Sequence, residues 1–126
     1  METVLETPLK LKAMSTSECQ SRLTAVGDAL YVIGGKWKLR IIIALCEGHH
    51  RFNELQRVIN GISAKVLSQE LKDLEINGLA ERRVTADIPV VVEYLPTSYS
   101  RTLQPVLEAL GNWGMQHREK LREEAK

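Results

Sequence analysis

From Ser17 onward, Leu23, Val26, Leu30 and Ile33 recur at three- and four-residue steps, the spacing of one face of an amphipathic helix. Gly34-Gly35 stops that helix. A second helix is expected from about Lys36 to Glu47. Trp37, Leu39, Ile41, Ile42, Ile43 and Leu45 make it apolar nearly all round, the pattern of a helix buried in the middle of a domain. Gly48 supplies a left-handed end. A short third helix is expected near Asn53–Ile59, with Leu55, Val58 and Ile59 facing in, before Asn60-Gly61 turns the chain. The fourth helix is the best specified. Ser63 is its N-cap, Leu67, Leu71 and Leu74 form one stripe, and Asn77-Gly78 ends it.

The period then changes. Leu79–Thr85 and Val90–Leu95 are short and rich in Val, and Ala86-Asp87-Ile88-Pro89 joins them as a hairpin. Pro96 ends the second strand. From Thr97 to about Glu123 the pattern is helical again. Leu103, Val106, Leu107, Leu110, Trp113, His117 and Leu121 lie on one side, and Pro105 is a kink or a restart. The fold class is mainly α with a small β-hairpin. Four helices, two strands and a helix, with a short turn between helices three and four, is the winged helix-turn-helix order. Residues 1–16 lack sustained periodicity and read as a flexible tail that is loosely ordered or packs late; the domain proper is 17–126.

Composition narrows the possibilities. The chain has 126 residues, 44% hydrophobic and 26% charged, which suits one globular domain. No apolar run reaches the roughly 18–20 residues that cross a bilayer. The longest is Ile41-Ile42-Ile43-Ala44-Leu45-Cys46. Met1–Lys12 mix Glu, Lys and Pro without a signal-peptide core, so no membrane association and a cytoplasmic location are expected. Two cysteines fit a reducing compartment. Aromatics make up 5%, too few for a single-strand stacking platform. There is no Gly-rich phosphate loop, nucleophile elbow or His-Glu-x-x-His, so an enzyme is not expected, and neither is a cofactor. Cys46, Glu47, His49 and His50 crowd together but match no strong zinc spacing, and no metal is expected.

Net charge is only +1, which argues against a non-specific nucleic-acid coat. It is unevenly spread. Residues 1–35 carry −1, residues 36–83 carry +3 and residues 84–126 carry −1. The excess covers the helix-turn-helix and the first wing strand. On a wheel of about 100° per residue, Lys65, Gln69 and Lys72 fall opposite the leucine stripe of helix four, with Ser68 at the flank. Glu70, Asp73 and Glu75 lie off this row. Such a row of donors at the start of a recognition helix suits DNA, since Gln can bond adenine bidentately and Lys can reach guanine or a phosphate. Ser63, at the head of that helix, belongs to the same set. Lys65, Ser68 and Gln69 are assigned to base edges. Lys72, Arg51, Asn53 and one of Arg82 and Arg83 are assigned to the backbone. The two arginines alternate across the strand, and the other could pair with Glu93.

Val32-Ile33-Gly34-Gly35-Lys36-Trp37-Lys38-Leu39, Arg51-Phe52-Asn53-Glu54-Leu55, Gly61 through Glu75, Pro89 with Val92-Glu93-Tyr94, and Leu110 with Trp113-Gly114 together resemble the HxlR-type bacterial transcription regulators. The resemblance implies a homodimeric winged-helix repressor or activator that binds double-stranded DNA at a pseudo-palindromic operator. It also implies dimerisation through the N- and C-terminal helices, here Leu23, Val26 and Leu30 with Leu103, Val106, Leu107, Leu110, Trp113 and His117. Gly111 and Gly114 each cost a helix about 1 kcal/mol, which suggests close helix approach. Three positions depart from the family. Thr24-Ala25 stand where many members have Cys-Pro, Ser100 stands where a Gly is usual after the hairpin, and Val90-Val91 follow Pro89 where a basic residue is common. Two alternatives remain: a winged-helix module that docks on protein and ignores DNA, and a redox-responsive regulator using Cys19. Cys46 is expected to be a packed core thiol. The sequence names no effector.

Overall fold

A computed structural model describes residues 15–125. The tail assigned to residues 1–16 lies almost wholly outside them; Thr16 already opens the first helix. The chain divides into two units, residues 1–32 and 33–126.

The first unit is described by helix α1, Thr16–Ile33. It begins one residue earlier than expected because Ser15 and Glu18 form a capping box. The Glu18 N–H donates to Ser15 Oγ (3.1 Å) and the Ser15 N–H donates to Glu18 Oε1 (2.8 Å). These bonds, the backbone one first, hold the Glu18 carboxyl below its usual range. Leu23, Val26 and Leu30 are exposed along α1; Ile33, which the spacing placed with them, is buried.

The second unit holds α2 (Lys38–Cys46), α3 (Phe52–Val58), α4 (Ala64–Ile76), the hairpin of β1 (Ala80–Val84) and β2 (Val92–Pro96), a 3-10 turn (Tyr99–Leu103) and α5 (Gln104–Glu124). Its core joins Ile41, Ile42 and Leu45 of α2 to Leu55, Ile59, Ile62, Leu67, Leu71, Leu74 and Leu79. α2 is not surrounded by core. Ile41, Ile42, Ala44 and Leu45 are buried, whereas Ile43 and Cys46, three residues apart and so on one face, are exposed. Val58, expected to face in, is also exposed.

Two backbone bonds close α4 as a Schellman motif. The Leu79 N–H donates to Leu74 O (2.8 Å) and the Gly78 N–H to Glu75 O (3.0 Å). Gly78 sits at φ +75°, where a side chain would be strained. Because Leu79 serves this cap, β1 starts at Ala80. The hairpin is antiparallel, with Ala80 opposite Pro96 and Val84 opposite Val92, so Pro96 is the last residue of the ladder rather than its stop. The Tyr94 N–H donates to His50 O (2.8 Å), tying β2 to the segment ahead of α3.

After β2, Thr97 organises the chain. Its hydroxyl donates to Gly78 O (2.6 Å), and its oxygens accept from the buried Ser100. The hydroxyl of Ser100 is satisfied by Thr97 O, which is how a buried Ser is accommodated here. The final helix therefore follows a 3-10 turn, and Pro105 marks a restart in the first turn of α5, where its missing N–H costs nothing.

Candidate nucleic-acid interface

Between α3 and α4 the chain turns through Asn60 and Gly61, whose φ of +88° requires a residue free of Cβ strain. Ile59 and Ile62 are buried on either side and pin the bend to the core. Ser63 then caps α4, its Oγ accepting from the Val66 N–H (3.1 Å). With Leu67, Leu71 and Leu74 buried, helical geometry turns Lys65, Ser68, Gln69 and Lys72 outward, and all four are exposed. The four residues therefore share one exposed surface, with Lys65 in the first turn, at the positive end of the helix dipole.

Two acids of α4, Glu70 and Asp73, are engaged by Lys38, a residue that the sequence pattern does not single out. As the first residue of α2 it places Nζ 2.5 Å from Glu70 Oε1 and 3.5 Å from Asp73 Oδ2. Its side chain is only 15% exposed. The Glu70 hydrogen bond, outweighing burial, holds the Lys38 pKa above its usual value, so the ammonium is firmly charged. Asp73 Oδ1 in turn accepts from Gln69 Nε2 (3.3 Å). No periodicity argument finds Lys38, because its partners are 32 and 35 residues away.

Arg51 is the N-cap of α3 and Asn53 lies in its first turn; both are exposed. Glu54 accepts from or pairs with His49 Nδ1 at 3.0 Å, which, with backbone N–H groups of His50 and Arg51, holds its carboxyl below the usual range. Arg82 and Arg83 are both exposed on β1, which packs against α4. Arg83 is opposite Glu93, yet its carboxylate partner is Glu81 (3.1 Å), two residues along the same strand face. The expected cross-strand pair with Glu93 is thus replaced. Arg82 faces the other way, opposite Tyr94, with no carboxylate partner among the described residues.

On α5, Val106, Leu110, Trp113 and His117 are exposed, Leu107 is half-buried, as is Leu103 at the end of the 3-10 turn, and none of the helix's residues is buried. The Trp113 and His117 rings stack at 5.0 Å. A Cβ at Gly111 or Gly114 meets nothing within 4 Å, so packing inside their own unit does not call for glycine there. Cys19 is exposed. Cys46 is exposed too, in a shallow cleft with Ile43, Glu47, Gln104, Leu107 and Glu108, and is not the core thiol expected. Among the described residues no group of His, Cys, Asp or Glu converges as a metal site, and no helix is long and apolar enough to cross a membrane.

The HxlR-like helix-turn-helix family model matches residues 32–122. An HTH-type transcriptional regulator of Halalkalibacterium halodurans is 45% identical over 95 residues, covering 75% of this chain and 84% of that protein. YdzF of Bacillus subtilis, also an HTH-type transcriptional regulator, is 39% identical over 100 residues, covering 79% and 92%. Among solved structures, the transcriptional regulator YtcD is similar at 40% identity and a TM-score of 0.70, covering 75% of this chain and 96% of that one. The redox regulator HypR in its reduced form is similar at 36% identity and a TM-score of 0.72, covering 79% and 98%. With the helix-turn-helix, its donor-bearing face and the hairpin wing in place, the chain belongs to the HxlR-like family of helix-turn-helix, DNA-binding transcriptional regulators.

Proposed function

We propose that the protein acts as a homodimer on a pseudo-palindromic operator, each copy laying α4 in the major groove. Lys65, Ser68 and Gln69 read base edges beside Ser63. Lys72, Arg51, Asn53 and Arg82 hold phosphates. The observation that carries this reading is the exposed face of α4, where Lys65, Ser68, Gln69 and Lys72 lie together and neither lysine has a carboxylate partner among the described residues. That face has no apolar patch, which disfavours a module that docks on protein and ignores DNA. Dimerisation is supported by the apolar residues left open on α5 and on α1. Two-fold symmetry then sets the half-sites about one helical turn apart. No catalytic step, cofactor or metal is part of this function, and its place is the cytoplasm, where the operator is.

The test is a duplex selected from random sequence by the full chain. Binding should weaken steeply with salt, and Gln69→Ala should relax base preference at one position per half-site. If Lys65→Ala combined with Gln69→Ala changes neither affinity nor preference, α4 does not read DNA in this way. A redox-responsive version is favoured by the exposure of both thiols and by the likeness to HypR. Operator affinity before and after mild oxidation, with Cys19→Ser as control, decides whether Cys19 matters.

A further inference from the structure

Asp73 divides its two oxygens. Oδ2 faces the Lys38 ammonium and Oδ1 accepts from Gln69 Nε2. A carboxylate only accepts, so the end of the Gln69 amide turned toward it must be the NH2. That leaves Gln69 Oε1 and its second N–H without a partner among the described residues. An acceptor beside a donor complements the N6–H and N7 of adenine in the major groove. The opposite orientation, with NH2 outward, offers donors to guanine N7 or O6. Lys38 is mostly buried and also held by Glu70, so it is the fixed end of this chain of contacts.

We propose that Lys38 is a positioning residue for base selection: acting through Asp73, it fixes the amide of Gln69 in the orientation that favours adenine over guanine. This rests on the assignment of Gln69 to a base edge. Lys38 touches no DNA. Its effect is on the ratio of affinities for two bases, whereas a merely structural role in seating α4 would lower affinity for every sequence alike.

The experiment uses the full chain and the selected duplex, with adenine replaced by guanine at the position that Gln69→Ala relaxes. Lys38→Met keeps most of the stem and removes the charge. It should reduce adenine-over-guanine discrimination by about ten-fold, within the range one bidentate contact supplies, and Lys38→Arg should restore it. Asp73→Ala breaks the same relay from a half-buried position outside the core and serves if Lys38→Met fails to fold. Loss of discrimination in both variants, or in Asp73→Ala where Lys38→Met does not fold, with smaller change in affinity for the guanine duplex, supports the relay. Wild-type discrimination in Lys38→Met or Asp73→Ala, alongside its loss in Gln69→Ala, overturns the relay and leaves the Gln69 assignment standing. If Gln69→Ala itself changes no base preference, both fall together.

Discussion

Glu54 shows how one side chain can hold a functional segment in place. At the third helical position of α3 it reaches back to His49, across the exposed Arg51 that is assigned to a phosphate. The His49 hydrogen bond, then the backbone N–H groups of His50 and Arg51, lower its pKa in the folded chain below 4.5. A lowered folded pKa means that the stabilisation is present above the unfolded value and is lost as pH falls through the folded one. The stability gap between the wild type and Glu54→Gln should therefore be constant near neutrality and shrink as pH drops below 4.5. Urea unfolding across that range measures it, and a gap that stays flat into the acid limb would count against the contact. Some residues of this kind are legible in the sequence. Ser63 announces itself as a cap before an apolar stripe, and Ser15-x-x-Glu18 carries the capping-box spacing, although the apolar period by itself starts the helix only at Ser17. The place of Cys46 is not legible. Periodicity says which residues share a face, but only packing decides that the Ile43 and Cys46 face stays uncovered.

At the scale of elements, helix ends are well marked because glycine at positive φ is a local signal, as at Gly61 and Gly78. The hairpin is legible in the change of period, but its length is not, since Leu79 is drawn into the α4 cap and Pro96 pairs with Ala80. The exposed row of α4 follows from the 3.6-residue period alone. The Lys38 contacts do not, because they join elements far apart in sequence. The same distinction bears on the wing. Alternation along β1 separates Arg82 from Arg83, but which arginine is left for a phosphate depends on Glu81, which neutralises Arg83 at 3.1 Å. Arg82→Ala should lower the slope of log affinity against log salt by about one for each phosphate it ceases to hold, whereas Arg83→Ala should change it little. Binding titrations at several salt concentrations separate the two. Equal slopes for both variants would remove Arg82 from the interface. Exposed Ile88 and Val90 at the hairpin tip bring no positive charge, so the wing's contribution is expected from β1 rather than from its loop.

At the scale of the whole molecule, the telling fact about α5 is that a helix of 21 residues buries none of them within the chain. Leu110 and Trp113 are 51% and 63% exposed on the face that the 3.6-residue pattern singles out. Apolar residues in such a stripe lose little by facing water singly, but a contiguous run of them marks a surface that another surface covers. Gly111 and Gly114 sharpen this. They meet nothing in their own unit, so their low helix propensity has no internal reason, whereas two helices from separate copies can approach closely where side chains are absent. A carboxylate placed in such a contact would have to be desolvated without a partner. Leu110→Glu should therefore leave the helix-turn-helix folded, since Leu110 is outside the core, but shift the protein to a monomer in sedimentation equilibrium. Each monomer would still hold one half-site. The second half-site would no longer be reached at high effective concentration, and operator affinity should fall by about a hundred-fold or more. Affinity for an isolated half-site should barely change. If Leu110→Glu remains dimeric and binds the full operator normally, α5 is not the dimer face, and the pseudo-palindrome must be assembled through α1 alone or not at all.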